Sequence, residues 1–143
     1  MPVEPGLVAA NILVYAMDAD SPQHAASRAL IESARDESAN LYTTAQIICE
    51  YSIVTNARRV AKPRSADEAF SAISSLVDIL QTLPVPVSTV ETLLGLIRRH
   101  PVTGGDIFDL QIVATMIANG VFRVYTFNVE DFKIFSELEV LRP

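Results

Sequence analysis

A single cysteine, no long apolar run and a deficit of positive charge set the first limits on what this chain can be. Cys49 has no partner for an intramolecular disulfide, and one thiol is too few for a cysteine-based zinc site. Its neighbours Ile47, Ile48 and Tyr51 suggest a buried structural thiol. No stretch approaches the ~18 consecutive apolar residues that mark a membrane span, so no membrane partner is expected. The opening Met1-Pro2-Val3-Glu4-Pro5 lacks the basic and apolar segments of a secretion signal, and a reducing, cytoplasmic setting is the expectation. Acidic residues outnumber basic ones by 17 to 11, a net charge of −6. Bulk charge therefore cannot hold a nucleic acid. Local contacts remain open, because a metal ion can neutralise an acidic cluster and basic residues can gather elsewhere. They do gather, in Arg58, Arg59, Lys62 and Arg64 and again in Arg98, Arg99 and His100. Both groups also suit solvated helix ends, where cations are favoured.

What is present is an ordinary globular composition. Half of the 143 residues are hydrophobic and a fifth are charged, which fits one domain over 1–143 with one core. The apolar run Leu7 to Ala16, interrupted by Asn11, predicts a buried strand. Ser21-Pro22 predicts the start of a helix running to about Glu37, with Ala25, Ala29, Leu30 and Ala34 near one face. Asn40 to Thr43 reads as a second strand. Capping boxes at Thr43 to Gln46, Ser65 to Glu68 and Ser88 to Glu91 predict three helices. The first ends near Arg58 or Arg59. The second reaches about Thr82, with Phe70, Ile73, Leu76, Val77 and Leu80 apolar, and the third carries Leu93, Leu94 and Ile97. Gly104-Gly105 reads as a turn. An almost wholly apolar helix follows from Asp106 to Asn119, closed by Gly120. Arg123 to Phe127 predicts a strand, Val129 to Phe135 a helical turn, and Glu139 to Leu141 an edge strand. Strands alternating with helices, without hairpin signals, predict an α/β fold with a mostly parallel sheet. Sites in such sheets form at the carboxyl ends of the strands.

Two carboxylates sit where apolar surroundings make them costly. Glu50 is the only charged residue between Thr43 and Ala57, and a buried, unpaired carboxylate must be exposed, protonated, ion-paired or metal-bound. Asp109 lies inside a helix flanked by Ile107, Phe108, Leu110, Ile112 and Val113, too far in to cap it. Asp106, three residues earlier, suits a helix cap. Asn128 could cap the turn after the last long strand, with Asp131 facing back from its first turn. All these elements end near the strand termini of one small sheet. Several carboxylates with oxygen-only donors suit Mg²⁺ or Mn²⁺ rather than zinc.

At this point the sequence resembles a family, the PIN-domain ribonucleases, and within it the VapC-type toxins of bacterial toxin–antitoxin pairs. The resemblance spans about Val8 to Val140. Its most specific part runs Gly105-Asp106-Ile107-Phe108-Asp109-Leu110-Gln111-Ile112-Val113-Ala114-Thr115, then Asn119-Gly120-Val121, then Thr126-Phe127-Asn128-Val129-Glu130-Asp131-Phe132. Glu50-Tyr51 followed by Asn56-Ala57-Arg58-Arg59 agrees with it. The opening Ala9-Ala10-Asn11-Ile12-Leu13-Val14-Tyr15-Ala16 matches a pattern that normally begins with Asp.

The resemblance implies a PIN-like three-layer fold and a magnesium-dependent endoribonuclease acting on RNA, with Mn²⁺ as the other candidate ion. It implies a cognate antitoxin protein and a homodimer. Glu50 and Asp109 fall on metal-site carboxylates, and Asp131, or Asn128 beside it, on a more variable fourth position. Asn11 falls on a residue that supports the first acid, with Thr126 and Asp106 as further supporting residues. Ala9 stands where the first acid is expected and cannot serve, so feeble or absent cleavage is expected of this chain. Because the rest of the pattern is intact, an introduced alanine is favoured over a degenerate natural copy that keeps only partner binding. A phospho-acceptor signalling domain is disfavoured: Val14-Tyr15-Ala16 offers no acidic pair, and Lys133 lies beyond Thr126-Phe127.

Overall fold

The computed structural model describes residues 3–36, 39–56, 65–101 and 106–143, and of 52–56 and 106 the backbone alone. Five short strands and six α-helices alternate among the described residues. They are β1 (Gly6–Val8), α1 (Ala10–Ala16), α2 (His24–Asp36), β2 (Leu41–Thr43), α3 (Ala45–Asn56) and α4 (Ala66–Ile79). Then come β3 (Gln81–Thr82), α5 (Ser88–Arg99), α6 (Asp106–Ala118), β4 (Arg123–Tyr125), a 3₁₀ turn at Val129–Asp131 and β5 (Glu139–Leu141). Every strand pair is parallel, in the order β3-β2-β1-β4-β5. The expected α/β, three-layer architecture is therefore present. Helices α1 to α4 pack together as one group, and α5 packs along α6 as another.

This order has a functional consequence. The chain builds outward from β1 through β2 to β3, then returns to the other side of β1 with β4 and β5. The gap between the carboxyl ends of β1 and β4 is thus the point where the winding reverses. Connections leave it in opposite directions, so a crevice opens there.

Several local expectations are corrected. Leu7 to Ala16 is not one strand: only Gly6–Val8 is extended, and Ala10–Ala16 is helical. A helix and a strand buried on all sides carry the same apolar signature, so the pattern could not separate them. Three residues suffice to cross this narrow sheet, and the chain turns at Ala9. In α2 the buried residues are Ser27, Leu30, Ile31 and Ser33, while Ala25 and Ala29 face solvent. The cap of α3 is Thr44, whose hydroxyl accepts from the Ile47 amide. Thr43 ends β2 instead, and its hydroxyl is buried with no hydrogen-bond partner among the described residues. Cys49 is exposed rather than buried, because it lies on the outer side of α3 while Ile47 and Tyr51 fill the core.

The box at Ser65 forms in both halves, with the Glu68 amide donating to the Ser65 hydroxyl and the Ser65 amide to the Glu68 carboxylate. Helix α4 stops at Ile79, Leu80 is already extended, and Gln81–Thr82 joins the sheet beside β2. Phe70 and Val77 point outward, and Ala69, Ala72 and Leu76 face the core. The third box does not form: Val87 occupies the cap position of α5 without a side-chain bond, and Ser88 is already helical. Gly120 has φ of 71° and ends α6 as expected. Gly104-Gly105 and the expected end of α3 near Arg58 lie outside the described residues.

At Gly6, β1 lies against β4 with no room for a side chain. A Cβ there would sit 2.8 Å from Tyr125 Cε2 and 3.1 Å from the Arg123 carbonyl oxygen. The Tyr125 ring is held in place because its hydroxyl donates to the Glu4 carbonyl at 2.7 Å. Gly6→Ala is expected to destabilise the fold by about 1–3 kcal/mol, the cost of forcing extra volume into a packed site. Urea denaturation measures this.

Burial raises the Tyr125 phenol above its ordinary 10.0, opposed in part by Arg123 and reinforced by Glu4 and Glu139. The unfolded chain then loses this proton first. The tyrosine's contribution is complete below pH 10 and falls away as the pH rises through the higher folded value. Tyr125→Phe should show a shallower alkaline decline in thermal stability than the parent chain.

Candidate metal centre

At the crevice between β1 and β4 lies a cavity of about 530 Å³. Six of the residues singled out from the sequence line it: Ala9, Asn11, Glu50, Asp109, Asn128 and Asp131. They come from the end of β1, from α1, α3 and α6, and from the turn after β4. Leu7, Val14, Tyr15, Ile47, Ile112 and Phe132 supply much of the apolar wall.

Ala9 ends β1 in extended geometry, φ −69° and ψ 159°, and caps α1 without a side-chain hydrogen bond. Its amide donates to the Tyr125 carbonyl at 3.0 Å, which continues the β1–β4 pairing by one residue. Its side chain is only a buried methyl on the cavity wall.

Asn11, one residue into α1, reaches across to the segment after β4. Its Nδ2 donates to Thr126 Oγ1 at 2.9 Å, and its Oδ1 accepts from the Phe127 amide at 3.0 Å. Thr126, fully buried, also accepts at Oγ1 from the Asn128 amide at 3.0 Å. Both ends of the Asn11 amide are thus occupied by protein, so the side chain braces α1 against the segment after β4. Asn128 does not cap the 3₁₀ turn with its side chain, contrary to the sequence reading. Thr126 instead holds the chain entering the turn by receiving the Asn128 amide, and the Asn128 carbonyl accepts from the Asp131 amide at 3.1 Å.

Glu50 is half-buried on α3, one turn after Gln46. Gln46 Nε2 donates to Glu50 Oε1 at 3.2 Å and to the Phe108 carbonyl at 2.8 Å. One amide therefore joins the Glu50 carboxylate to the first turn of α6, next to half-buried Asp109. Gln46 was read from the sequence only as part of a capping box. Its spacing of four residues from Glu50 on one helix face was the available signal for this role. Asp131, at the end of the 3₁₀ turn, is exposed at the mouth. Asp106 begins α6, and its side chain lies outside the described residues.

The donors facing the cavity are oxygens, the chemistry that hard divalent ions select. Their number falls short. Among the described residues, no three acidic, histidine or cysteine side chains lie close enough to hold one ion. In kind these residues fit magnesium or manganese; in number they do not, with alanine at position 9.

A family profile described as PIN domain matches residues 7–138. No curated protein matches the sequence. Solved structures do match in shape. A chain from the VapBC2 complex of Rickettsia felis, bound to a DNA fragment from its promoter, superposes with a TM-score of 0.69 at 16% identity, covering 95% of this chain and 96% of that one. VapC20 of Mycobacterium tuberculosis, described as a toxin that cleaves the sarcin–ricin loop, gives 0.67 at 18% identity over 90% and 94%. A chain from VapBC-1 of nontypeable Haemophilus influenzae gives 0.67 at 15% identity over 95% and 96%.

Asn11→Ala removes two hydrogen bonds and leaves the Phe127 amide without its partner. It should cost about 1–3 kcal/mol in stability, as expected for stranding buried polar groups, and urea unfolding would show it.

Proposed function

The chain belongs to the PIN-domain family, and from that premise we propose that it is a VapC-type ribonuclease toxin whose metal site lacks one acid. The observation that carries this reading is the convergence of Ala9, Asn11, Glu50, Asp109, Asn128 and Asp131 on one cavity at the sheet's switch point. The substrate is RNA, the ion Mg²⁺ or Mn²⁺, and the setting cytoplasmic. A cognate antitoxin and a second copy of the chain are the protein partners. That two of the similar structures come from VapBC complexes supports the antitoxin.

Glu50, Asp109 and Asp131 are the residues that would hold the ion, together with an aspartate at position 9. When bound, such an ion lowers the pKa of a coordinated water and neutralises charge on a phosphate. The protein's own part is positioning. Gln46 fixes the Glu50 carboxylate, and Asn11 fixes the turn that carries Asn128 and Asp131. The apolar wall of Leu7, Val14, Ile47, Ile112 and Phe132 limits water to the open side, which strengthens electrostatic attraction within. With a methyl at position 9, one negative charge and both oxygens of a carboxylate are gone, and cleavage is crippled.

A second reading is favoured by that same methyl and by the lack of a three-acid group among the described residues. In it the chain is a non-catalytic PIN module that binds an antitoxin or itself. Metal and RNA binding separate the two.

Ala9→Asp should raise Mg²⁺-dependent cleavage of single-stranded RNA by at least about tenfold, the scale that even outer-ligand changes produce at metal sites. Asp109→Asn added to Ala9→Asp should return it to background. The Ala9→Asp protein should also gain thermal stability on adding Mg²⁺, while the parent chain gains less. A well-folded Ala9→Asp protein with neither response would leave the non-catalytic reading standing.

A further inference from the structure

Beside the cavity lies an aromatic and cationic cluster that the proposed ion site does not use. Tyr15 belongs to the cavity wall. The Phe127 ring meets it edge to face, with centroids 5.5 Å apart and planes at 80°. The Arg142 guanidinium lies over the Phe127 ring, 5.3 Å from its centroid. Both rings are half-buried, and Arg142 is exposed. A line of contacts thus runs from the cavity wall to a cation in water.

The sheet sets how far that line reaches. Val8 pairs with Tyr125 and Tyr125 with Leu141, so the three form one row across β1, β4 and β5. The Ala9 amide donates to the Tyr125 carbonyl and the Thr126 amide to the Leu141 carbonyl. Ala9, Thr126 and Arg142 are therefore the next residues in line at the carboxyl edge. Two strand spacings, about 10 Å, separate the first from the last. The missing acid and the cation stand at the same level of the sheet.

Arg142 also differs from most other cations of the chain. Among the described residues, every arginine and lysine except Arg98 and Arg142 pairs with an acidic side chain. Arg98 lies on α5, which supplies nothing to the cavity. A guanidinium stacked on an aromatic ring keeps its N–H fork available and loses less freedom when it binds. In a chain of net charge −6, an unpaired cation beside carboxylates is placed to receive an anion.

Resting on the ribonuclease reading, we propose that Arg142, held over Phe127, binds a backbone phosphate of single-stranded RNA. That phosphate neighbours the linkage that enters the cavity, so the substrate is a strand continuing past it towards β5. A nucleic-acid strand carries one charge per nucleotide at a regular interval, and a strand seated at the cavity presents its next charges along the sheet edge. Phe127 and Tyr15 add an aromatic surface, the companion of cations where single strands bind without regard to sequence. An acidic protein segment would meet the guanidinium but has no bases for the rings, so RNA is the favoured occupant. A phosphate contact carries no base information. Arg142 therefore sets where the strand lies, and other groups set which bases are cut.

Fluorescence anisotropy of a labelled single-stranded oligoribonucleotide, titrated with the chain over a salt series, tests this. Arg142→Gln should weaken binding roughly tenfold, the loss of a charge-assisted contact. It should also flatten the slope of log K against log salt by about 0.7, the share of one phosphate on a single strand. Arg142→Lys should keep the slope and lose part of the affinity, since the charge stays and the fork goes. Phe127→Leu should act like Arg142→Lys, with circular dichroism reporting the fold. Arg98→Gln removes an equal charge on α5 and should change neither affinity nor slope. In the Ala9→Asp background, Arg142→Gln should raise KM rather than lower kcat.

Absence of RNA binding overturns the proposal, as does binding indifferent to Arg142→Gln or weakened equally by Arg98→Gln. Polyglutamate that binds as tightly as RNA, with the same dependence on Arg142, overturns it in favour of an acidic protein segment. Cleavage by Ala9→Asp that ignores Arg142→Gln removes the proposal and leaves the ribonuclease reading standing. No cleavage by Ala9→Asp, with RNA binding still dependent on Arg142, removes that reading and leaves the phosphate contact.

Discussion

One side-chain amide ties the chain's early and late parts together. Asn11 donates to Thr126 and accepts from Phe127, groups separated from it by 115 and 116 residues. Backbone pairing of β1 with β4 brings the two segments side by side, but the amide sets the angle at which α1 leaves the sheet. Thr126 passes the constraint on to Asn128, and through the 3₁₀ turn to Asp131. Gln46 does similar work across the cavity, joining Glu50 to the start of α6. The Glu50 carboxylate is therefore held by a neutral amide.

Much of the fold was legible because its signals are local. The box at Ser65, the glycine at position 120 and the edge strand Glu139–Leu141 each depend on a few neighbouring residues, and each was read correctly. What was misread depends on facing. Leu7 to Ala16 is apolar on every side, so periodicity could not show the turn at Ala9. Cys49 and Leu94 look like core residues in sequence, yet each lies on the outer side of its helix. The choice between Thr43 and Thr44 as helix cap turned on where β2 stopped, which only the pairing with β1 and β3 decides.

The candidate site was legible for a different reason. Glu50 and Asp109 stood out because ionised groups among apolar neighbours need a physical explanation. Gln46 did not stand out, since a glutamine in a first helical turn has an ordinary explanation. Its second hydrogen bond, to the Phe108 carbonyl, crosses 62 residues and has no trace in local spacing. Ala9 was noticed only against the family pattern. Nothing in an alanine after a strand is unusual until the acids around it have been located.

The separation of Asn11 from its partners also orders events during synthesis. A chain emerging from the ribosome presents β1, α1 and Glu50 long before β4 exists. Until then β1 lacks its neighbour on one side, Asn11 has no hydroxyl to meet, and the cavity has no far wall. Long-range closure of this kind comes late and slowly. Unfinished chains thus carry some of the acids but no pocket, and the capacity of this fold for chemistry arises only near the end of translation.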